Sequence, residues 1–285
     1  MKNVLFATTA LIATAGIASA EVSLSGSAEM GIIGGDQGIG YDAAGDTTNF
    51  ADQFHTDIDV TFTLSGESDN GITFGATIDL DEEGGFANTN GGPEAVFISG
   101  DFGTLTMGDT DGALDKAIEG TDKIGDIADA ATTFSASDAG IDGGFDGQVA
   151  RYDYSVAGYD FGAGFQGGEF QESWGLSAGT TVGPVDLTSN YMETATLTMG
   201  GVDPVETQFG LAAVYTMDAL SAGVMYREAH VDGVYTDRGW GVAANYDLGG
   251  GLTLMAGAGE GYTDNIGVST DEAGTAYSFG LSMSF

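Results

Sequence analysis

The feature that most constrains this chain is alternation: over most of its length apolar and polar residues exchange places with a period of two. Residues 54–64, FHTDIDVTFTL, put Phe54, Thr56, Ile58, Val60, Phe62 and Leu64 on one side, with His55, Asp57, Asp59, Thr61 and Thr63 on the other. Residues 72–81 set Ile72, Phe74, Ala76, Ile78 and Leu80 against Thr73, Gly75, Thr77, Asp79 and Asp81, and Trp240, Val242, Ala244, Tyr246 and Leu248 alternate with small or polar residues. Successive side chains of a strand point to opposite faces, so the pattern predicts strands with one apolar and one polar face. A helix would need its apolar residues three and four apart.

Fourteen such segments follow one another: 21–33, 50–65, 71–82, 94–100, 103–109, 147–156, 159–167, 172–182, 184–194, 205–217, 219–229, 236–248, 252–262 and 274–285. Their connections alternate in length. Short ones (65–71, 99–103, 157–159, 182–184, 217–220, 248–251) are interleaved with longer ones (34–49, 83–93, 110–146, 195–204, 230–235, 263–273), and 168–171 is the brief exception. Short turns at one end and long loops at the other describe an up-and-down barrel. In outer-membrane barrels the short turns are periplasmic and the long loops extracellular. An even strand number puts both termini on the short-turn side.

Composition decides which face meets what. The 285 residues hold 43 Asp and Glu against 6 Lys and Arg, a formal charge of -37. That excludes a nucleic-acid binder, which needs a basic footprint. Yet 42% of the residues are hydrophobic and 10% aromatic, too many for a disordered acidic chain. The absence of cysteine removes disulfides, thiolate metal sites and cysteine nucleophiles together.

Alternation alone fits a soluble sandwich with its apolar face buried, or a membrane barrel with that face toward lipid. The barrel is favoured by a polar face of Gly, Ser, Thr and Asp that is nearly free of Lys. Aromatics near strand ends (Tyr152, Tyr154, Tyr159, Phe161, Trp174, Tyr191, Tyr226, Trp240, Tyr246) suit interfacial girdles. An export route is supplied by residues 1–20, MKNVLFATTALIATAGIASA. They have a positive start at Lys2, an apolar middle and a small-x-small site at Ala18-Ser19-Ala20, so a signal peptide is expected with the mature chain from Glu21. Beyond it no run of about 18 apolar residues offers a transmembrane helix.

The chain ends TAYSFGLSMSF, with Tyr277, Phe279, Leu281, Met283 and Phe285 in strict alternation. This resembles the assembly signal of Gram-negative outer-membrane barrels, with Phe285 as its terminal aromatic. EVSLSGSAEMG (21–31), FHTDIDVTFTLSGESDNGITFGATIDLDE (54–82), FISGDFGTLTMGDTDGALD (97–115), GQVARYDYS (147–155) and GVAANYDLGGG (241–251) resemble the general diffusion porins of alphaproteobacteria such as Rhodobacter. The resemblance covers nearly the whole mature chain. It implies a homotrimeric barrel in the outer membrane of a Gram-negative cell, inserted by the barrel assembly machinery and passing small hydrophilic solutes passively, with the third long loop folded into the lumen as a constriction. The family's barrels have sixteen strands, against fourteen counted here.

Residues 110–146 stand out by length alone, and loops of that length are functional or disordered. At and beyond their start come Asp109, Asp111, Asp115, Glu119, Asp122, Asp126 and Asp129, offset by only Lys116 and Lys123. On the strands, parity puts Arg151, Arg227 and His55 on the polar face, with Asp57, Asp59, Asp79 and Asp153 among a larger set that includes Glu29, Asp81, Asp160, Asp186 and Asp247. By resemblance an arginine cluster would face the loop's carboxylates, but on the wall only Arg151, Arg227 and His55 are available to form one. Carboxylate-lined pores favour cations, so a cation-preferring channel is expected.

Other motifs carry less. Gly162-x-Gly164-x-x-Gly167 has dinucleotide-fingerprint spacing but lies within strand alternation, with no helix after it. No HExxH suggests an enzyme. Asp138, Asp142 and Asp146 on Gly-rich turns offer the oxygen ligands calcium takes. They support the alternative, a secreted calcium-dependent β-rich surface or adhesive protein that buries its apolar face.

Overall fold

The computed structural model describes residues 21–35, 52–81, 94–108, 110, 112–113, 149–167, 171–196, 205–231, 234–264 and 271–285. The expected leader 1–20 and nearly all of loop 110–146 lie outside them, as do Asp109, Asp111, Asp115, Glu119, Asp122, Asp126, Asp129, Asp138, Asp142 and Asp146.

The alternating segments form fourteen strands: β1 (Glu21–Gly35), β2 (Gln53–Glu67), β3 (Thr73–Asp81), β4 (Glu94–Gly100), β5 (Gly103–Gly108), β6 (Val149–Val156), β7 (Tyr159–Gly167), β8 (Gln171–Val182), β9 (Val185–Thr196), β10 (Val205–Met217), β11 (Leu220–Val231), β12 (Val234–Gly249), β13 (Leu252–Asp264) and β14 (Asp271–Ser284). Each pairs with the next, every pairing is antiparallel, and β14 returns to β1, so the sheet closes into a barrel without a free edge. Closure runs from Ser27↔Ser284 to Gly35↔Ala276. The Phe285 amide continues it by donating to the Gly26 carbonyl at 2.9 Å.

One expected connection is corrected. Residues 230–235 read as a longer loop, but β11 and β12 run on until Val231 pairs with Val234. The register slips between Ala229 and His230, which breaks the strict alternation on which the sequence reading relied. At the opposite end the β6–β7 turn takes positive φ at both Ala157 and Gly158, matching the twist of the strands it joins.

The apolar face points outward. Phe54, Ile58, Phe74, Val96, Phe165, Leu176, Leu211, Val224, Val242 and Phe279 are all exposed. Buried hydrophobic clusters are small, Val149 with Met192 and Val214 with Ala243. A sandwich would hide these large side chains between its sheets, so the alternative reading with a buried apolar face is overturned. Aromatics gather toward both ends of the outer wall. Near the short turns Tyr159 stacks on Phe161 at 6.5 Å, and Tyr152 donates its hydroxyl to the Phe102 carbonyl. Toward the long loops Trp174 tilts against Tyr191 at 5.6 Å, and Tyr226 and Trp240 sit on paired positions.

Candidate pore lining and constriction

With the apolar residues outside, the second parity set lines the interior. On β1–β3 this wall is acidic. Glu29 is paired across the ladder with Asp57, and Asp59 with Asp81. Like charges directly opposite each other destabilise a sheet, a cost that is small only where water or counterions fill the space beside them. Hydroxyls hold the carboxylates in place: Ser27 donates to Asp59 at 3.1 Å and Thr61 to Asp79 at 3.0 Å. His55 shares this face, opposite Gly31.

The basic groups stand elsewhere on the wall. Arg151 on β6 is 6% exposed, on the inward parity with Val149 and Asp153. Its Nε donates to Asp153 Oδ2 at 3.0 Å. Arg227 on β11 is 7% exposed, and its Nη2 donates to Gln208 Oε1 at 3.2 Å. Gln208 in turn donates to Glu206 at 3.0 Å. Each arginine is flanked on the ladder by glycine: Arg151 pairs with Gly164, and Arg227 with Gly210 and Gly239. The missing side chains leave room for a long guanidinium stem to lie along the wall.

Further acids stand near the short turns. Asp160 accepts from Ser155 and Asp186 from Thr181, each at 2.5 Å, beside an open hollow of about 300 Å³ shared with Asp153, Ser177 and Thr188. Sequence reasoning missed Gln208, Asn190, Ser173 and Thr194, all buried on the inward face, with a Ser173–Thr194 hydroxyl contact of 2.9 Å. The same parity could have found them, but uncharged residues gave no reason to look.

One described part of loop 110–146 touches this wall. Gly112 and Ala113 are buried, Ala113 to 1% exposure. They lie on the inward side of β7: a Cβ placed on Gly164 would meet the Ala113 nitrogen at 2.6 Å. Among the described residues no group of His, Asp or Glu side chains converges as a metal site.

A closed barrel that is greasy outside, charged inside and touched on its inner wall by its longest loop is the architecture of a pore. The profile of the Gram-negative porin family matches residues 7–284, nearly the whole chain. The chain belongs to the Gram-negative porin family. It is similar to a porin of Rhodobacter capsulatus, with 24% identity over 88% of this chain and 98% of the relative. Among solved structures, a Rhodopseudomonas blastica porin variant covers 93% of this chain and 100% of its own, at 16% identity and a TM-score of 0.58. An anion-selective porin from Comamonas acidovorans covers 94% and 100%, at 14% identity and a TM-score of 0.64.

As a porin the protein is a diffusion channel of the outer membrane and not an enzyme. Its outward residues are its lipid contact, the aromatics at the two strand ends suit the membrane–water interfaces, and the inward residues border the aqueous path.

Proposed function

We propose that this porin is a cation-preferring channel for small hydrophilic solutes and ions, narrowed by loop 110–146 folded into its lumen. The observation that carries the preference is the charge of the described inner wall. Glu29, Asp57, Asp59, Asp79, Asp153, Asp160 and Asp186 line it against Arg151 and Arg227, and Arg151 is already bonded to Asp153. Carboxylate-lined pores raise the local concentration of cations. A similar solved porin, from Comamonas acidovorans, is anion-selective, so the fold alone does not set the sign of the preference, and the reading rests on this chain's own wall charges. The loop's acids, Asp111, Asp115, Glu119, Asp122, Asp126 and Asp129 after Asp109, add to the preference, and the buried Ala113 supports their inward course.

Export by residues 1–20, insertion by the barrel assembly machinery through the Phe285 end, and assembly as a homotrimer complete the reading. No cofactor is required in this reading, and calcium at Asp138, Asp142 and Asp146 would act only as a counterion to the loop's charge. Single channels in planar bilayers across a KCl gradient test this. A reversal potential of the sign set by potassium is expected; one of the sign set by chloride refutes it.

A further inference from the structure

The glycine motif that failed as a nucleotide fingerprint has a different use. Gly162 and Gly164 are buried on the inward face of β7, between outward Phe161, Ala163 and Phe165. Their ladder partners are Asp153 and Arg151 on β6, and Ser177 and Gly175 on β8. A Cβ on Gly164 would lie 2.6 Å from the backbone nitrogen of Ala113 and 3.2 Å from its Cβ. The first is closer than real Cβ atoms approach, and because the obstacle is main chain it cannot swing aside. A Cβ on Gly162 would meet Ser177 Oγ at 2.4 Å, a side chain able to turn aside, and would come 3.7 Å from the Ala113 Cβ, ordinary contact. Thus Ala113 takes the space a side chain on residue 164 would need and packs against residue 162 at contact distance.

We infer that Gly162 and Gly164 form a seat in the barrel wall into which Gly112-Ala113 docks, fixing the base of the constriction loop beside the Arg151–Asp153 pair. The inference rests on the channel reading above and names the residues that position its narrowest part. The seat lies one ladder position from both charges of that pair, so it sets where the loop's first carboxylates begin relative to Arg151. It also explains why two glycines stand on the inward face of a strand that carries Phe161 and Phe165 outward: the wall must thin by one side-chain layer for the backbone to lie flat against it.

The protein's lack of cysteine allows a direct test. Gly162→Cys combined with Ala113→Cys places two Cβ atoms at about the 3.8 Å typical of a disulfide, with Ser177 Oγ turning aside. After mild oxidation of the full-length protein in outer membranes, the double variant is expected to resist maleimide labelling under denaturing conditions until it is reduced. Ala113→Cys paired with Gly179→Cys should label at both sites. Two free thiols on a heat-modifiable, folded Gly162→Cys/Ala113→Cys barrel refute the seat.

A second variant reads function. Gly164→Ala should lower single-channel conductance while heat-modifiable migration persists. Gly179→Ala, whose nearest neighbour would be the Leu187 carbonyl at 3.5 Å, should leave conductance unchanged. Unaltered conductance in a folded Gly164→Ala barrel also refutes the seat. A wild-type protein that fails to conduct refutes the channel reading instead, whatever the thiols do.

Discussion

At the scale of single residues, parity is what turns a sequence into a map of the pore. Arg151 stands between Ala150 and Tyr152, and Arg227 between Tyr226 and Glu228; in each case one step along the strand separates interior from exterior. Because strand side chains alternate without exception where no bulge intervenes, both arginines could be assigned to the inner wall before any coordinates. Asp153, two residues from Arg151 on the same face, was within reach of the same rule; Gln208 was not, since it reaches Arg227 across the β10–β11 ladder and register is set by hairpins that composition does not reveal. Arg151→Ala and Arg227→Ala each remove a cation from an acidic wall. The reversal potential across a KCl gradient should therefore move further toward that of potassium, most in the double variant. An unmoved potential would place both guanidinium groups outside the ion path.

Strands carry the next level of information. Fourteen of them were legible from alternation, and the closed barrel contains that number. The misread stretch was 230–235, where Asp232-Gly233 carries the two-residue hairpin signature. The bulge at Ala229/His230 shifts the alternation there by one, so a strict period of two stops short of where the strands end. Closure of β14 on β1 extends to the last residue, whose amide bonds Gly26 while its ring stays 80% exposed. Deleting Phe285 removes one rung of the seam and the terminal aromatic together. The amount of heat-modifiable barrel in the outer membrane should drop sharply, whereas an undiminished amount would rule out an assembly role. The two faces of a strand also differ in what they tolerate. Leu211 is exposed midway along β10, and neighbouring Ala212 borders the interior hollow. Leu211→Arg should destabilise the barrel by about 2–4 kcal/mol as a charge near the bilayer midplane does. Ala212→Arg should cost much less, as urea unfolding of protein refolded into lipid vesicles would measure. Equal costs would mean that the face assignment is wrong.

For the molecule as a whole, the puzzle is a charge of -37 on a chain that is 42% hydrophobic with 49 glycines. A barrel separates the charge from the apolar residues, because lipid takes the apolar face and water takes the charged one, and glycine thins the wall where a loop base or an arginine must lie against it. The wall carboxylates are spread over several strands, and the positions of Glu29 and Asp57, and of Asp59 and Asp81, oppose one another directly. Their effect on a passing ion is therefore that of a diffuse field and not of one binding site. Such a field reaches only as far as the screening length, about 30 Å at 0.01 M salt, about 10 Å at 0.1 M and about 3 Å at 1 M. A preference made this way should be strong in dilute KCl, where the field spans the lumen, and should decay steadily as the salt rises. At molar salt the permeability ratio should approach that of the two ions in bulk water. Reversal potentials at a fixed concentration ratio, stepped from 0.01 to about 1 M on the low-salt side, would follow this decay. A ratio that holds constant over that range would locate selectivity in close contact with a few ligands, and the wall's charge would then serve only to hold water in the pore.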